Sequence, residues 1–320
     1  MAQPWPENPL PVVLVGPTAT GKTAAAVELA ERIGGEIINA DSMQVYRGMD
    51  IGTAKPGPEE RARVPFHLLD LVTPDQPFTV ADWKERAEDA IADIVRRSRR
   101  AIVCGGTGLY VRALLDDWTL AETPADPSVR AALRAELAQS GPEALHARLA
   151  ALDPTTAARL HPNDAVRIVR ALEVYQITGK PIAAYQAQDR VNRPSRPAHR
   201  IGLTLPRPEL YARIETRVEA MLAAGWEEEV RRLLAQGYAP ALGPMRSLGY
   251  KEMIAAIQGE LDRTTAIALI KQNTRRFAKR QQTWFRADPR LRWLDVSALD
   301  SATVAARIAE MLENPLSESV

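Results

Sequence analysis

Short apolar runs alternate with stretches of helical periodicity over the first third of the chain. The runs that predict strands are Pro11–Val15, Glu36–Asn39, His67–Val72 and Ala101–Cys104. Between them, apolar residues recur at helical spacing, which predicts helices over Ala24–Ile33 and Thr79–Arg97. Strands that alternate with helices are typical of a parallel sheet covered by helices, so we expect an α/β fold.

From Asp117 to Ala187 the pattern changes to consecutive helices. These helices are predicted over Pro127–Gln139, Pro142–Leu149 and Asp164–Gln176, the last with Asn163 or Asp164 as its N-cap. The elements predicted after them are a loop at Gln186–Arg200, a strand at Ile201–Leu205, almost continuous helix over Pro208–Arg286, an edge strand at Leu291–Asp295 and a last helix. We therefore predict a core formed by residues 1–116 and 200–320, interrupted by a helical insertion of residues 117–199.

Composition narrows the class of protein. The 320 residues are 46% hydrophobic and 25% charged, with a net charge of +1, so attraction to a nucleic acid would require a local basic patch. Cys104 is the single cysteine and the four histidines are scattered, which disfavours disulfides and a zinc site. The N-terminal residues do not have the pattern of a signal peptide, and no apolar run approaches the length of a bilayer-spanning helix. A cytoplasmic enzyme with no membrane association is expected.

One complete phosphate-binding motif follows the first predicted strand and precedes a helix. Its residues are Gly16, Pro17, Thr18, Ala19, Thr20, Gly21, Lys22 and Thr23, which match G-x-x-x-x-G-K-[ST]. The glycines allow backbone N–H groups to turn toward a phosphate, Lys22 adds a positive charge, and the Thr23 hydroxyl suits Mg²⁺. The motif predicts a P-loop NTPase-like core. The chain has no Asn-Lys-x-Asp signature of a GTPase, and His67–Asp70 is a poor Walker-B candidate.

Three segments come directly after predicted strands: Gly16–Thr23, Ala40–Gln44 and Gly105–Tyr110. Because ligands of parallel sheets bind at the carboxyl ends of the strands, we expect these segments to surround one site. Asp41 could accept a proton there, or could cap the segment that follows it. Thr107 could contact a ligand, cap the next helix, or do both. Spacing alone leaves these alternatives open.

A basic segment stands out near the C-terminus. Arg263–Arg290 contains eight basic residues and one acidic residue. One helical stripe combines Lys271, Arg275, Lys279, Gln282 and Arg286, whereas Ile267, Ile270, Phe277 and Trp284 lie largely off it and could face the core. A second basic group, Arg190, Arg193, Arg196 and Arg200, lies in the predicted loop. Such charge runs are either solvated faces or RNA-binding surfaces, and the pattern does not distinguish the two.

Seven segments in order closely resemble the bacterial tRNA dimethylallyltransferase (tRNA isopentenyltransferase) family. They are Gly16–Thr23, Asp41–Tyr46, Gly48–Lys55, Gly105–Tyr110, His161–Asp164 with Arg167 and Arg170, Arg246–Lys251 and Lys279–Arg286. The similarity runs from about Val12 to Asp295. It implies transfer of a dimethylallyl group from dimethylallyl diphosphate to N6 of the adenosine 3′-adjacent to the anticodon in tRNA. With one cysteine, the chain lacks the zinc finger of eukaryotic members.

The resemblance also implies roles for individual residues. Asp41 would be the general base toward the adenine amine, with Lys22 and Thr107 also catalytic. The diphosphate would be held by Gly16–Thr23 and Arg217, with Mg²⁺ at Thr23. The positions implied to contact the anticodon stem-loop are Asp41, Ser42, Met43, Gln44, Thr107, Val166, Arg167, Ile168, Val169, Arg170, Arg246, Ser247, Leu248, Gly249, Tyr250, Lys251, Lys279 and Arg280. We expect a monomer.

Other functions compete with this interpretation. An ATP-dependent small-molecule or nucleotide kinase would explain the P-loop and Asp41, but it leaves the basic segment Arg263–Arg290 without a purpose. A prenyltransferase acting on free adenine nucleotides would not need the helical insertion. A non-catalytic RNA-binding protein would not need intact Lys22, Thr23 and Asp41.

Overall fold

The computed structural model describes residues 5–118, 125–191 and 195–313. Its strands are β1 (Val12–Val15), β2 (Gly35–Asn39), β3 (Phe66–His67), β4 (Arg100–Gly105), β5 (His199–Thr204) and β6 (Arg292–Asp295). Its helices are α1 (Lys22–Ile33), α2 (Pro58–Arg63), α3 (Val80–Arg96), α4 (Gly108–Leu115), α5 (Pro127–Leu152), α6 (Pro154–Ala157), α7 (Ala165–Thr178), α8 (Ile182–Val191), α9 (Arg207–Ala223), α10 (Trp226–Ala235), α11 (Tyr250–Ile257), α12 (Arg263–Arg286) and α13 (Ser301–Glu313). A short 3₁₀ helix spans Pro244–Arg246.

The six strands form one sheet in the order β3-β2-β4-β1-β5-β6, and every neighbouring pair is parallel. Both faces of the central strand β1 are covered, which explains why it is apolar throughout rather than alternating. Val12 and Leu14 face a cluster with α1, α9 and α13. Val13 and Val15 face the opposite cluster, with α3, α4 and Phe285 of α12. The predicted α/β sheet covered by helices is confirmed.

A third cluster lies beside the sheet and is organised by the buried carboxylate of Glu229. Oε2 accepts hydrogen bonds from the N–H groups of Asp50 (2.9 Å) and Ile51 (2.7 Å). Oε1 accepts from the Gly52 N–H (3.2 Å) and the Tyr250 hydroxyl (2.6 Å). Glu229 therefore fixes the loop after β2 against α10 and α11.

Lys55 ties down the far end of the same loop. Its buried Nζ donates to the Tyr46 carbonyl (2.7 Å) and to the carboxylates of Asp50 and Asp70 (2.6 Å each). Gln44 adds bonds from its Nε2 to the carbonyls of Thr53 (3.0 Å) and Ala54 (3.1 Å). The motif Gly48–Lys55 thus has a clear structural role: it forms a rigid wall beside the sheet.

The chain divides into two compact units, one of residues up to Leu115 together with residues from Arg196 onward, and one of Asp116–Ser195. The second unit consists of helices around the buried side chains of Leu145, Leu149 and Ile168. Its fully buried Glu173 accepts hydrogen bonds from Arg130 (2.8 Å) and Arg170 (2.7 Å). Across the described ranges, no helix has the length and apolar character required to span a membrane.

Three predicted elements differ from the structure. The strand predicted at His67–Val72 ends at His67, because Leu68 and Asp70 adopt left-handed backbone conformations that break the ladder. The predicted loop at Gln186–Arg200 begins too early, since α8 continues to Val191. The helix predicted over Pro208–Arg286 is four helices and a 3₁₀ turn, separated at residues such as Gly225 and Gly249, both with positive φ.

We expect Glu229→Ala to destabilise the protein by about 3 kcal/mol or more, because it leaves four donors without their acceptor inside the structure. Urea denaturation would measure the free energy of unfolding. The matched control is Glu228→Ala, since Glu228 is the exposed neighbour on the same helix and its loss should change stability by less than about 0.5 kcal/mol. Equal effects of the two variants would show that Glu229 does not hold the loop.

Candidate active site

The loop between β1 and α1 has the shape of a phosphate-binding loop. Gly16 has φ 148°, and a Cβ there would lie 2.5 Å from the carbonyl oxygen of Leu203 on β5, so no side chain fits. Gly21 is the N-cap of α1 with φ 81°, and Ala19 is also left-handed at φ 67°. The Thr20 hydroxyl donates to the Pro17 carbonyl (2.9 Å) and closes the loop from inside. The first turn of α1 therefore points its free N–H groups into the loop.

Two cations converge beside this loop. Nζ of Lys22 donates to the Pro17 carbonyl (2.7 Å). Burial is the main cause that lowers the pKa of Lys22 to about 8; Arg217 acts in the same direction, whereas Cys104 and Asp41 oppose it. Burial also lowers the pKa of Arg217 on α9. Arg217 makes no hydrogen bond or ion pair with any other residue that the structure describes. This part of the site therefore has positive charge available for an anion.

Asp41 lies in the same electrostatic neighbourhood. Burial raises the pKa of its carboxyl above the usual range, although the Met43 N–H, Lys22 and Arg217 all act in the opposite direction. Oδ1 accepts a hydrogen bond from the Met43 N–H (2.8 Å), so the capping role considered from the sequence is present. Asn39 fixes the backbone here, with its Oδ1 accepting from the Asp41 N–H (3.0 Å). Capping uses one oxygen of the carboxylate and does not exclude a second role.

Thr107 joins the loop after β4 to the loop after β2. Its Oγ1 accepts a hydrogen bond from the Ser42 N–H (2.9 Å), and its own N–H donates to the Ala40 carbonyl (3.1 Å). Gly105 makes this approach possible, because a Cβ there would collide with the backbone of Ala40. The three segments that follow β1, β2 and β4 therefore lie together at one edge of the sheet, as strand order predicts.

Gln281 of α12 is a site residue that the sequence analysis did not single out. Its Oε1 accepts from the Thr18 N–H (2.8 Å) and its Nε2 donates to the Gly106 carbonyl (2.9 Å). The side chain is buried, and a Cβ on Gly106 would overlap its amide. Gln281 thus bridges the P-loop and the loop after β4. The only signal for it was membership of the motif Lys279–Arg286.

These loops surround a cavity of about 400 Å³, within the range of small-molecule sites. Lys22, Arg217 and Asp41 line it together with the buried Cys104. Burial raises the pKa of the Cys104 thiol to about 12, so this cysteine is a neutral wall rather than a nucleophile. Phe277 also lines the cavity, although the sequence pattern allowed it to face the core. The cavity thus combines a cationic region, a carboxylate and an apolar surface.

The residues present can support Mg²⁺ only with help from a ligand. No group of three or more His, Cys, Asp or Glu residues suited to a metal occurs within the three described ranges. Thr23 lines the cavity next to Lys22. Mg²⁺ usually takes few protein ligands and completes its shell with phosphate oxygens and water, and one hydroxyl fits that pattern.

Asp70, the weak Walker-B candidate, does not belong to this cavity. Its carboxylate is paired with Lys55 (2.6 Å) and Arg61 (2.9 Å). This acid stabilises the wall of the site and is not available to organise a nucleotide-bound metal. Asp70 therefore does not supply the Walker-B acid that a kinase would require, although it was the candidate in the sequence.

The segment Val166–Arg170 in the helical unit divides into surface and core positions. Val166 is 80% exposed, and the exposed Arg167 pairs with Asp164 (3.3 Å). Ile168 and Val169 are buried and pack in the helical core, and their contact with RNA stays a prediction. Arg170 pairs with Glu173 (2.7 Å).

A similar division holds for Arg246–Lys251. Arg246 and Lys251 are exposed, whereas Gly249 and Tyr250 are buried. The indole of Trp226 lies so close to Gly249 that a Cβ there would overlap the ring, and Tyr250 bonds to Glu229. Gly249 and Tyr250 therefore support the wall of the site, and their contact with RNA stays a prediction. Ser247 is half-buried, and its Oγ has no hydrogen-bond partner among the described residues.

The basic stripe of α12 is only partly a free surface. Lys271 pairs with Glu219, and Arg275 pairs with Glu215 (2.7 Å), so both cations join α12 to α9. Gln282 reaches the Thr204 hydroxyl (3.4 Å). The cations of α12 that are exposed and form no ion pair with other described residues are Arg276, Lys279, Arg280 and Arg286. The positive surface is thus limited to the second half of the helix.

The predicted basic loop is also largely structural where it is described. Arg196 pairs with Glu88 (2.5 Å) and stacks over Trp5, with the guanidinium 4.7 Å from the ring centroid. Arg200 is buried and pairs with Asp288 (3.2 Å). Arg193 and the side chain of Arg190 lie outside the described part of the chain.

Comparisons with known proteins agree on one family. The family model described as IPP transferase matches residues 44–288, and that described as isopentenyl transferase matches residues 11–71. The chain is 55% identical over 284 residues to a tRNA dimethylallyltransferase of Geobacter metallireducens, covering 89% of this chain and 92% of that one.

Solved structures give the same result. The full-length tRNA isopentenylpyrophosphate transferase of Bacillus halodurans is 40% identical with a TM-score of 0.69, covering 95% of this chain and 96% of that one. A eukaryotic dimethylallyltransferase captured acting on tRNA is 28% identical with a TM-score of 0.77, covering 95% of this chain and 78% of that one.

Replacement of Gln281 by Ala removes both bonds of the bridge and leaves the half-buried Thr18 N–H and the buried Gly106 carbonyl without the partner that Gln281 supplies. We expect the free energy of unfolding to fall by about 1–3 kcal/mol, measured by urea denaturation. Gln282→Ala is the matched control, because the amide of this neighbour makes only one long contact of 3.4 Å. A loss no larger than that of the control would contradict the bridging role.

Proposed function

This chain belongs to the tRNA dimethylallyltransferase family, and we propose that it transfers the dimethylallyl group of dimethylallyl diphosphate to N6 of the adenosine 3′-adjacent to the anticodon in tRNA, releasing diphosphate. The observation that carries the proposal is a single cavity shared by Lys22, Arg217 and Asp41. A leaving diphosphate requires cations, and an attacking amine requires a proton acceptor. Both requirements are met by side chains that line the same space.

The diphosphate is held by the loop Gly16–Thr23 and by Arg217. Lys22 and the N–H groups of the first turn of α1 neutralise the charge that grows on the diphosphate as the bond from C1 of the dimethylallyl group to oxygen breaks. The allylic carbon tolerates positive charge, so stabilising the leaving group is the larger part of the catalysis. The unpartnered Arg217 supports this role, because a buried cation with no hydrogen bond gains most from an anion.

Asp41 accepts the proton that leaves the adenine amine. The new bond joins N6 to C1 of the dimethylallyl group, the diphosphate departs with the electron pair of the broken C–O bond, and the N6 proton passes to the Asp41 carboxylate. The raised pKa of Asp41 makes it a stronger base than an exposed aspartate. Thr107 helps to position Asp41, the proton acceptor, because its Oγ1 fixes the backbone of the neighbouring Ser42.

The Thr23 hydroxyl would hold Mg²⁺ together with the diphosphate, and the ion would supply Lewis-acid stabilisation to the departing diphosphate when bound. Titration of Mg²⁺ against the enzyme with and without dimethylallyl diphosphate tests this assignment. Affinity for the metal that appears only with the diphosphate present supports a shared site. Affinity that does not depend on the diphosphate contradicts it.

Contact with tRNA uses exposed positions of both units. In the helical unit these positions are Val166 and Arg167, so we assign tRNA contact to the helical insertion predicted at residues 117–199. In the core unit they are Arg246, Lys251 and the exposed cations of α12 that form no ion pair with another described residue. Exposed cations bind phosphates without reading sequence, so binding should weaken as salt rises. A tRNA substrate supports a cytoplasmic location.

The reaction is tested directly by incubating the protein with unmodified tRNA, Mg²⁺ and either dimethylallyl diphosphate or ATP. Mass spectrometry of the digested tRNA should show a dimethylallyl increment on the adenosine beside the anticodon, and only with the diphosphate. Consumption of ATP with a small acceptor and no increment on tRNA would instead support a kinase.

We expect Asp41→Asn to lower turnover by about 10²–10⁴-fold, because an amide of the same shape cannot accept the proton. Binding of tRNA and of dimethylallyl diphosphate should remain near normal, which separates the chemical step from binding. Asp89→Asn, at an exposed position of α3, is the control for replacing any aspartate. Near-normal turnover of Asp41→Asn would remove Asp41 as the base.

Affinity for dimethylallyl diphosphate should fall above about pH 8, because Lys22 has its pKa lowered to about 8 and binds phosphate only when protonated. The protonated form is present below this pH and is lost above it, so affinity should drop by up to about tenfold per pH unit. The ligand's own phosphates ionise near pH ~6 and do not interfere. Calorimetry would measure the binding.

The control for this titration is Lys22→Arg, since arginine stays charged over the whole range. In this variant the dissociation constant should change little between pH 8 and 10. A decline of the same size in Lys22→Arg and in the unmodified protein would assign the titration to another group.

A further inference from the structure

One exposed aromatic side chain next to the site has no role in the proposed chemistry. All six tryptophans lie within the described ranges, and Trp284 is the exposed one, with 38% of its surface accessible. Trp83 and Trp226 are buried in the core clusters. The exposed part of the indole is available to a partner outside the chain, and tryptophan combines a large apolar surface with a polar N–H group that suits such contacts.

Trp284 stands at the end of a row that begins in the cavity. Phe277, Gln281 and Trp284 are spaced by four and three residues along α12 and so share one face of the helix. Phe277 lines the cavity, and Gln281 bonds to the Gly106 carbonyl. Trp284 covers Gly108, where a Cβ would overlap the indole. The row therefore runs along the segment after β4 and leads from the buried site to the protein surface.

The indole is held in a fixed orientation without being covered. It rests on the backbone of Gly108, and the guanidinium of Arg112 lies 5.9 Å from its ring centroid. Tryptophan loses little conformational freedom on binding when its ring is already held in this way. Gly108 directly follows Thr107, so the ring lies beside the loop after β4, which is bonded to the loop that carries Asp41.

The charge around Trp284 indicates which partner it fits. The exposed cations of α12 without ion pairs to other described residues are Arg276, Lys279, Arg280 and Arg286, and all four lie within eight positions of it. Nearer the start of α12, Lys271 and Arg275 are neutralised by Glu219 and Glu215 of α9. Arg280 lies one turn before Trp284 and so shares its face of the helix. An exposed ring beside a cation is the arrangement that binds single-stranded nucleic acid, where bases stack on aromatics and phosphates meet cations.

We propose that the indole of Trp284 is a stacking platform for a nucleobase of the single-stranded RNA loop that carries the target adenosine. The inference rests on the proposed function, because it requires that such a loop enters the site. The stacked base is a neighbour of the target, since the target itself must reach the cavity that Phe277 lines. Trp284 thereby helps to hold the loop open while the adenosine is extruded.

The experiment measures binding of an RNA anticodon stem-loop by fluorescence anisotropy to the full-length protein and to variants of Trp284. Trp284→Ala and Trp284→Leu should each weaken binding by about tenfold or more, because neither has a flat ring, and Trp284→Phe should retain most of the affinity. Leucine keeps an apolar side chain over Gly108, so it guards against a simple loss of packing. Thr283→Ala, at the exposed neighbouring position, is the control and should bind normally.

Hairpins with a single abasic nucleotide identify the partner base. At one loop position the missing base should weaken binding to the unmodified protein but should weaken binding to Trp284→Leu no further, because the interaction is already absent. The inference would be overturned if the effects of the abasic nucleotide and of Trp284→Leu add at every loop position. It would also be overturned if Trp284→Leu binds the intact hairpin normally. Unchanged calorimetric binding of dimethylallyl diphosphate is the check that each variant is folded.

Failure of this inference can be told apart from failure of the proposed function. If the unmodified protein prenylates tRNA while the Trp284 variants bind the hairpin normally, only the stacking role is wrong. If the unmodified protein neither binds the hairpin nor modifies tRNA, the proposed function is wrong, and the stacking role is wrong with it.

Discussion

The site depends on two places where neighbouring backbones come into contact at the carboxyl edge of the sheet. At Gly16 a Cβ would reach the carbonyl of Leu203, and at Gly105 it would meet the backbone of Ala40. Any side chain at either position would push two strands apart. With glycine there, the loops after β1, β2 and β4 leave the sheet from almost the same point and then diverge. The space between them is the cavity, so close packing beneath it creates the opening above.

Burial of the cavity has opposite effects on its charged groups. It lowers the pKa of Lys22 and Arg217 and raises that of Asp41, so each group is displaced toward its neutral form. An anion that binds in the cavity stabilises the protonated forms of Lys22 and Arg217. This stabilisation is greatest when the negative charge on the anion is greatest. Under the proposed function that moment is the departure of the diphosphate. The same burial therefore favours the transition state over the empty site.

The sequence predicted the sheet and the meeting of three loops, because both follow from local pattern and from the geometry of parallel strands. It did not predict Gln281 or the position of Phe277, since periodicity assigns an apolar or polar side chain to a face but not to a partner distant in the chain. For a related reason, the sequence did not show which cations of the α12 stripe are paired. Whether Lys271 is free or paired depends on Glu219, and nothing in the spacing of α12 reveals that α9 lies beside it.

The residue type at position 281 is constrained more tightly than its burial suggests. The bridge needs one group that accepts from the Thr18 N–H and another that donates to the Gly106 carbonyl, within a single side chain. Glutamate would accept but could not donate, and lysine would donate but could not accept. Either would also add a charge to the cavity that Lys22, Arg217 and Asp41 line, and so change the balance of charge there. A neutral amide satisfies both backbone groups and leaves that balance unchanged, so glutamine suits this position for electrostatic as well as geometric reasons.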